Sequence, residues 1–579
     1  MLKFIQLLNQ RYQAIIATLK AGDSQAALYQ QRVEQLFYAE AFIRKGMLLE
    51  THPNTPLQIA VIGPTQAGKS SIANLILNTN LAKASPLAGY TVHPQGFCNH
   101  VTLDDCIGLQ SYFGRFQQLR IDELNVERHD CYSLTDSNID SSLLPDSVFW
   151  DTPDFDSIDS VDYREGVIRT IALADIVVLV VSKEKYADQS VWEMMSAIEV
   201  FHQPTLICVN KLVEGTEDLI ARSLKEKWQH ARKDEFPRVV PMLYQKQTGR
   251  PEWPVTENNQ FVRLERLVSQ KNHFEYQNDL LNKYWHSWLE PVVAEHEAAK
   301  IWRTLVDSSI EQALSEYKRD YLDHPQHYET FQNTIVELLS LLEVPGFASV
   351  LTKTRRALTW PLRKLMSLGK KIVSPESQEE EILNQVGEHL LISFSDKLLE
   401  KIDSNTNQSK WWKDSYILVR EQREELLRNY EVAVDDYAIS FQEDVREAAN
   451  RLYNKLSEQP ILLNSLRATR VTTDVAAIAL ILETGGIGVH DLIITPAMLA
   501  ITSLLAESAI GSFINKVEVE LKQHQLKTVK EDLFIEFLQK TLYALPEQLS
   551  DKSRFNISSE QLEKAEQQRS EKRNGIRIL

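Results

Sequence analysis

The stretch from Leu57 to Asn78, LQIAVIGPTQAGKSSIANLILN, constrains the fold more than any other part of the chain. An apolar run leads into Gly63, Pro64, Thr65, Gln66, Ala67, Gly68, Lys69 and Ser70, with Ser71 following. This matches the phosphate-binding pattern G-x-x-x-x-G-K-[ST] at every fixed position. Ile72, Leu75 and Ile76 then recur at helical spacing. In a strand, glycine loop and helix taken in that order, successive backbone N–H groups can point at a phosphate chain. Lys69 can reach the terminal phosphates, and the Ser70 hydroxyl can ligate Mg²⁺. The stretch therefore predicts a nucleotide site at the carboxyl end of a buried strand.

From Leu57 to about Pro254, short apolar runs alternate with helical stretches, which predicts a mostly parallel sheet with helices on both faces. Residues 147–150, 175–182, 204–210 and 239–244 are the expected central strands. Before this region, Phe4, Leu7, Leu8, Tyr12, Ile15 and Ile16, then Val33, Leu36, Phe37 and Ala41, repeat at spacings of three and four, until Pro53 and Pro56 end the pattern. After it, glycine becomes sparse and long helical stripes dominate, such as Leu383, Val386, Leu390, Phe394 and Leu398. The expected division is N-terminal helices over 1–55 packed on the C-terminal helical region, a nucleotide domain over 56–255, and an all-helical region over 256–579.

A chain of 579 residues exceeds what one core serves. Its net charge of -17 argues against a general nucleic-acid binder and predicts no DNA partner. Cys98, Cys106, Cys131 and Cys208 show neither C-x-x-C spacing nor paired histidines at zinc-ligand intervals, so neither a metal site nor a disulfide framework is indicated. The N-terminus carries no secretory pattern, and no apolar run reaches the roughly 18 residues of a spanning helix. A cytoplasmic location, with peripheral attachment to the cytoplasmic face of a membrane as an option, is expected.

Three further elements stand after the expected strands. Asp151-Thr152-Pro153-Asp154 follows one of them and resembles the D-x-x-G element of P-loop GTPases, with Asp154 where that family has glycine. The resemblance implies that Asp151 holds Mg²⁺ through its water shell and that residue 154 senses the terminal phosphate. The Gly- and Pro-punctuated loop 85–97 resembles the one in which GTPases place the threonine that closes on Mg²⁺ and the terminal phosphate, and Thr91 is the candidate there, with Thr102 as the fallback. Asn210-Lys211-Leu212-Val213 resembles the N-K-x-D base-reading element, with Val213 in place of the aspartate and Glu214 one residue later. Phe155 stands where small GTPases carry a water-orienting glutamine. Help in cis is therefore sought from Gln66 or Arg115, or across a dimer.

In the helical region, residues 344–375 contain no acidic residue. Lys353, Arg355, Arg356, Arg363, Lys364, Lys370 and Lys371 are interleaved there with Phe347, Leu351, Trp360 and Leu365. Anionic lipid attracts such a segment at about 1 kcal/mol per Lys or Arg near the surface, and a solvated helix face paired with acidic neighbours is the alternative. Residues 475–514 read as an apolar helical hairpin around Gly485, Gly486 and Gly488, either buried core or a shallow insertion into one leaflet.

Helices before a P-loop GTPase core, with a long helical region after it, resemble the bacterial dynamin-like GTPases. The resemblance implies an α/β P-loop GTPase domain with a mostly parallel sheet, plus a large all-α helical stalk. It also implies GTP and Mg²⁺ as cofactors, GTP hydrolysis using Gln66, Lys69 and Thr91, and metal ligation by Ser70, Thr91 and Asp151. Nucleotide contacts would come from residues 63–71 with Asn210 and Lys211. Association as a homodimer or hetero-oligomer, and membrane binding, remodelling or tethering, would follow. The alternatives are a soluble GTPase switch whose helical region binds a protein or RNA partner, and a nucleotide-binding scaffold with little turnover.

Overall fold

The structure is a computed structural model that describes residues 1–20, 22–82, 91–125, 127–155, 160–212, 215–243, 252–268, 272–324, 329–341, 377–404, 409–461, 463–464, 510–549 and 554–575. The basic segment 344–375, the hairpin up to residue 509, and Val213 with Glu214 lie outside the described residues. The chain divides into two compact units, one of Met1–Val292 with Asp551–Leu579 and one of Val293–Ser550. The boundaries expected near residues 55 and 255 thus both fall inside the first unit.

The first unit opens with helices α1 (Leu2–Ile16) and α2 (Ser24–Thr51). Asp23 starts α2 by accepting a hydrogen bond from the Gln25 N–H at 2.9 Å. An eight-stranded sheet follows, its strands taken in chain order as β1 (Leu57–Ile62), β2 (Gln95–Asn99), β3 (Gln117–Leu119), β4 (Cys131–Ile139), β5 (Ser147–Asp151), β6 (Ile176–Ser182), β7 (Thr205–Leu212) and β8 (Arg238–Leu243). Their spatial order is β3-β4-β2-β5-β1-β6-β7-β8. All pairs are parallel except β2 with β5. The order puts β1 between β5 and β6, where connections leave in opposite directions and open a crevice at the strand ends.

The strand sequences are apolar on both faces because both faces are covered. Ala60, Ile62, Val148, Trp150, Val177 and Leu179 point into one core, while Ile59, Val61, Phe149, Ile176, Val178 and Val180 point into another. Helix α3 (Lys69–Leu77) covers the second face with Ile72, Ala73 and Ile76. The first face receives α2 together with the helix Ser160–Leu173, through Leu36, Ala39, Ile43, Ile168 and Ile171.

Charge fixes α2 in that position. Lys45 Nζ lies 2.8 Å from Asp175 Oδ1 with both side chains under a tenth exposed, and it donates to the Ala174 carbonyl at 2.8 Å. Arg169 reaches Glu40 at 3.1 Å in the same interior. The Tyr12 hydroxyl donates to the Trp288 carbonyl at 2.7 Å, and its ring meets the Phe555 ring edge-on at 4.8 Å. The N-terminal helices are therefore part of the sheet-bearing unit, and they meet there the start of helix His273–Tyr317 and residues near the C-terminal helix Ser559–Gly575.

The second unit is helical throughout its described residues, with helices Glu329–Leu341, Gln378–Ser404, Ser409–Ser457 and Gly511–Thr528 and a π-helical stretch Val529–Gln539. The stripe Leu383, Val386, Leu390, Phe394 and Leu398 is buried, as its spacing predicts. Trp302 and Trp412 are fully enclosed in the same core, and Trp302 Nε1 donates to the Leu542 carbonyl at 2.9 Å. Glu379 Oε1 accepts from Tyr317 Oη, Tyr437 Oη and Gln525 Nε2 at 2.7, 2.8 and 2.8 Å. Three donors on one oxygen satisfy a carboxylate that burial pushes above the usual range.

Candidate functional site

Between β1 and α3 the backbone follows a path that two glycines permit. A Cβ at residue 63 would run into the Val180 carbonyl oxygen, and Gly68 has φ +92° with the Asn210 amide where a Cβ would sit. Only glycine meets both demands without strain. Gln66 also adopts a left-handed backbone, φ +63°, at the exposed crest of the loop. The turn ends at Lys69, the first residue of α3, so the free N–H groups of the helix start face the loop.

Lys69 is 5% exposed and points back into the loop. Its ammonium donates to the Gly63 carbonyl at 3.0 Å and weakly to that of Pro64 at 3.4 Å, and it forms an ion pair with Asp154 Oδ1. Ser70 Oγ donates to Asp151 Oδ2 at 2.6 Å. Asp151 is the last residue of β5 and is fully buried. Thr152 ties that strand end to β1 by donating to the Val61 carbonyl at 2.6 Å. Burial pushes the Asp151 carboxyl up to about 6. The Ser70 hydrogen bond and the Lys69 charge oppose that rise, and the Asp154 charge adds to it.

Asp151 Oδ1 is buried and accepts no hydrogen bond among the described residues. An orphaned carboxylate oxygen beside a serine hydroxyl is a hard, anionic donor set that fits Mg²⁺. No group of three or more His, Cys, Asp or Glu side chains arranged for a metal occurs among the described residues.

The end of β7 reaches the same loop. Asn210 Nδ2 donates to the Ala67 carbonyl at 3.0 Å, its Oδ1 accepts the Lys211 N–H at 2.8 Å, and Lys211 Nζ donates to the Gln66 carbonyl at 2.9 Å. The structure thus brings together Lys69, Ser70, Asp151, Asn210 and Lys211, all anticipated from sequence. Thr91 is half-buried and makes no hydrogen bond to Lys69, Ser70 or Asp151 among the described residues. Thr102 is occupied elsewhere, since its hydroxyl and N–H both donate to Asp105 in an exposed turn, at 2.7 and 2.9 Å. Arg115 is held by Glu165 and lies over the Phe116 ring. Phe155 is buried in the core on the α2 side of the sheet.

The contact that residue spacing did not reveal is the one between Lys69 and Asp154. Its signal was present as a carboxylate at the glycine position of the D-x-x-G element, but nothing in the sequence placed that carboxylate against the loop lysine.

Residues 58–211 match the sequence profile of a family described as 50S ribosome-binding GTPases. No curated protein matches the chain. Two solved structures of an oligomerised bacterial dynamin pair, described as providing a mechanism for long-range sensing and tethering of membranes, are similar to it at 12% and 11% identity. They cover 95% of this chain in each case and 82% and 89% of their own, with TM-scores of 0.27 and 0.28. With the sheet order, the loop and the profile in agreement, the chain contains an α/β P-loop GTPase domain followed in sequence by a large helical region.

Proposed function

We propose that the chain binds GTP with Mg²⁺ at this loop, hydrolyses it, and works as a dynamin-like GTPase that couples the nucleotide cycle to membrane binding, remodelling or tethering. The observation that carries the nucleotide half is the convergence of Lys69, Ser70 and Asp151 at the ends of β1 and β5. Lys69 and the α3 N-terminus would neutralise the phosphates, and the loop N–H groups would hold them in line. Ser70 and Asp151 would hold Mg²⁺, which supplies positive charge as the terminal phosphoryl group departs. Gln66, exposed at the loop crest, and Thr91, at the start of the segment entering β2, are the proposed contributors to turnover.

The membrane half rests on the basic-apolar segment 344–375 and on the order of the regions along the chain. No helix among the described residues is long and apolar enough to cross a membrane. Attachment is proposed as peripheral, through Lys353, Arg355, Arg356, Arg363 and Lys364, with the protein acting as a homodimer or hetero-oligomer. Co-sedimentation with anionic liposomes tests this. Binding that falls when Lys353, Arg355 and Arg356 are changed to Gln supports the reading, and equal recovery with anionic and neutral vesicles opposes it. The match to a family described as ribosome-binding favours one second reading, a GTPase switch whose helical region binds a protein or RNA partner. That reading predicts no response to lipid.

A further inference from the structure

We propose that Asp154 is a built-in anion that occupies Lys69 in the nucleotide-free protein and sets the preference between nucleoside triphosphate and diphosphate. The inference rests on the nucleotide-site reading above and assigns a specificity role to a residue within it. Lys69 is enclosed, so its charge must be met by a partner or by ligand. Two loop carbonyls and the Asp154 carboxylate meet it, the carboxylate being 13% exposed. A terminal phosphate seeking the same ammonium finds a carboxylate already there.

Two consequences follow. The triphosphate binds only the fraction of molecules in which Lys69 is released, and its apparent affinity falls by that fraction. Even after release, a carboxylate near the terminal phosphate repels it. A diphosphate also draws on this ammonium through its β-phosphate, but it lacks the terminal phosphate and so escapes that second repulsion. The nearby anion would therefore shift the balance toward diphosphate, so that the loaded state requires a raised triphosphate concentration or a partner that draws Asp154 away.

Equilibrium binding of GDP and of a non-hydrolysable GTP analogue, with Mg²⁺, to the full-length protein and to Asp154→Asn, Asp154→Gly and Lys69→Ala tests this. Removing the charge in Asp154→Asn should tighten the GTP analogue about tenfold relative to GDP, a difference of about 1.4 kcal/mol. Asp154→Gly should do the same. Equal changes for both nucleotides, or no change, would overturn the role of Asp154 while leaving the site intact. Tightening by Asp154→Gly alone would overturn it too, since the effect would then come from backbone freedom and not from charge. If the unaltered protein binds neither nucleotide, or Lys69→Ala binds both as well as it does, the nucleotide-site reading fails and the inference with it.

Discussion

Replacing Asp151 by Asn should make the nucleotide-free protein progressively more stable than the unaltered protein as pH rises from 4 to 8. The Asp151 carboxyl is fully buried at the end of β5, and burial lifts it to about 6 from an ordinary value near 3.8. A carboxyl raised in the folded state contributes stability below its unfolded value, where both forms are protonated in step. That contribution is lost as pH rises through the folded value. The rise amounts to about 2 pH units, and because pH 4 already lies just above the unfolded value, forcing the charge into the interior costs about 2 kcal/mol at pH 8 relative to pH 4. The amide keeps an acceptor for the Ser70 hydroxyl, now 2.6 Å from Asp151 Oδ2, and carries no charge at any pH. Any fixed penalty for the unpaired amide N–H groups is the same at every pH and drops out of the difference. Urea unfolding of the two proteins in EDTA, at steps across this range, reads the effect. Stability curves that run parallel from pH 4 to 8 would refute the claim that burial raises the Asp151 carboxyl in the folded protein. The same variant should also lose the Mg²⁺ dependence of nucleotide binding, because it lacks the anionic oxygen that burial leaves without a partner.

Two other substitutions test the packing in the two units. Lys45→Ala strands Asp175 in the interior beside the Gln58 N–H it already accepts, and should destabilise the protein by about 3–5 kcal/mol in urea unfolding, whereas an exposed ion pair would be worth under about 1 kcal/mol. Trp302→Ala should cost about 3–5 kcal/mol by opening a cavity and orphaning the Leu542 carbonyl, with nucleotide affinity unchanged as measured by calorimetry.

What the sequence disclosed and what it hid divide along physical lines. The runs leading to β1, β5, β6, β7 and β8 were legible because a parallel sheet buried on both faces needs unbroken apolar strands, and the loop was legible because its geometry restricts residue type at fixed positions. Strands β2, β3 and β4 were not. Gln95–Asn99 and Cys131–Ile139 mix polar with apolar residues toward one edge of the sheet, where local pattern says little about pairing. The helical character of α1 and α2 was readable from spacing, but their neighbours were not. Lys45 with Asp175, and Glu40 with Arg169, are pairs that only the fold brings together, and in sequence each residue reads as an ordinary exposed charge. Glu379 is the counterpart in the second unit, a helix-start glutamate in sequence and a buried acceptor for Tyr317, Tyr437 and Gln525 in the fold. The Asn210-Lys211 element was legible as a motif, and its docking on the Gln66 and Ala67 carbonyls follows from the adjacency of β7 and β6 beside β1.

Nucleotide turnover by the full chain, GTP against ATP, with Mg²⁺ and with Lys69→Ala beside the unaltered protein, bears most directly on the proposed GTPase site. Mg²⁺-dependent phosphate release from GTP in preference to ATP, abolished in Lys69→Ala, is the predicted result. Turnover that persists unchanged in Lys69→Ala would contradict the assignment of this loop as the active site.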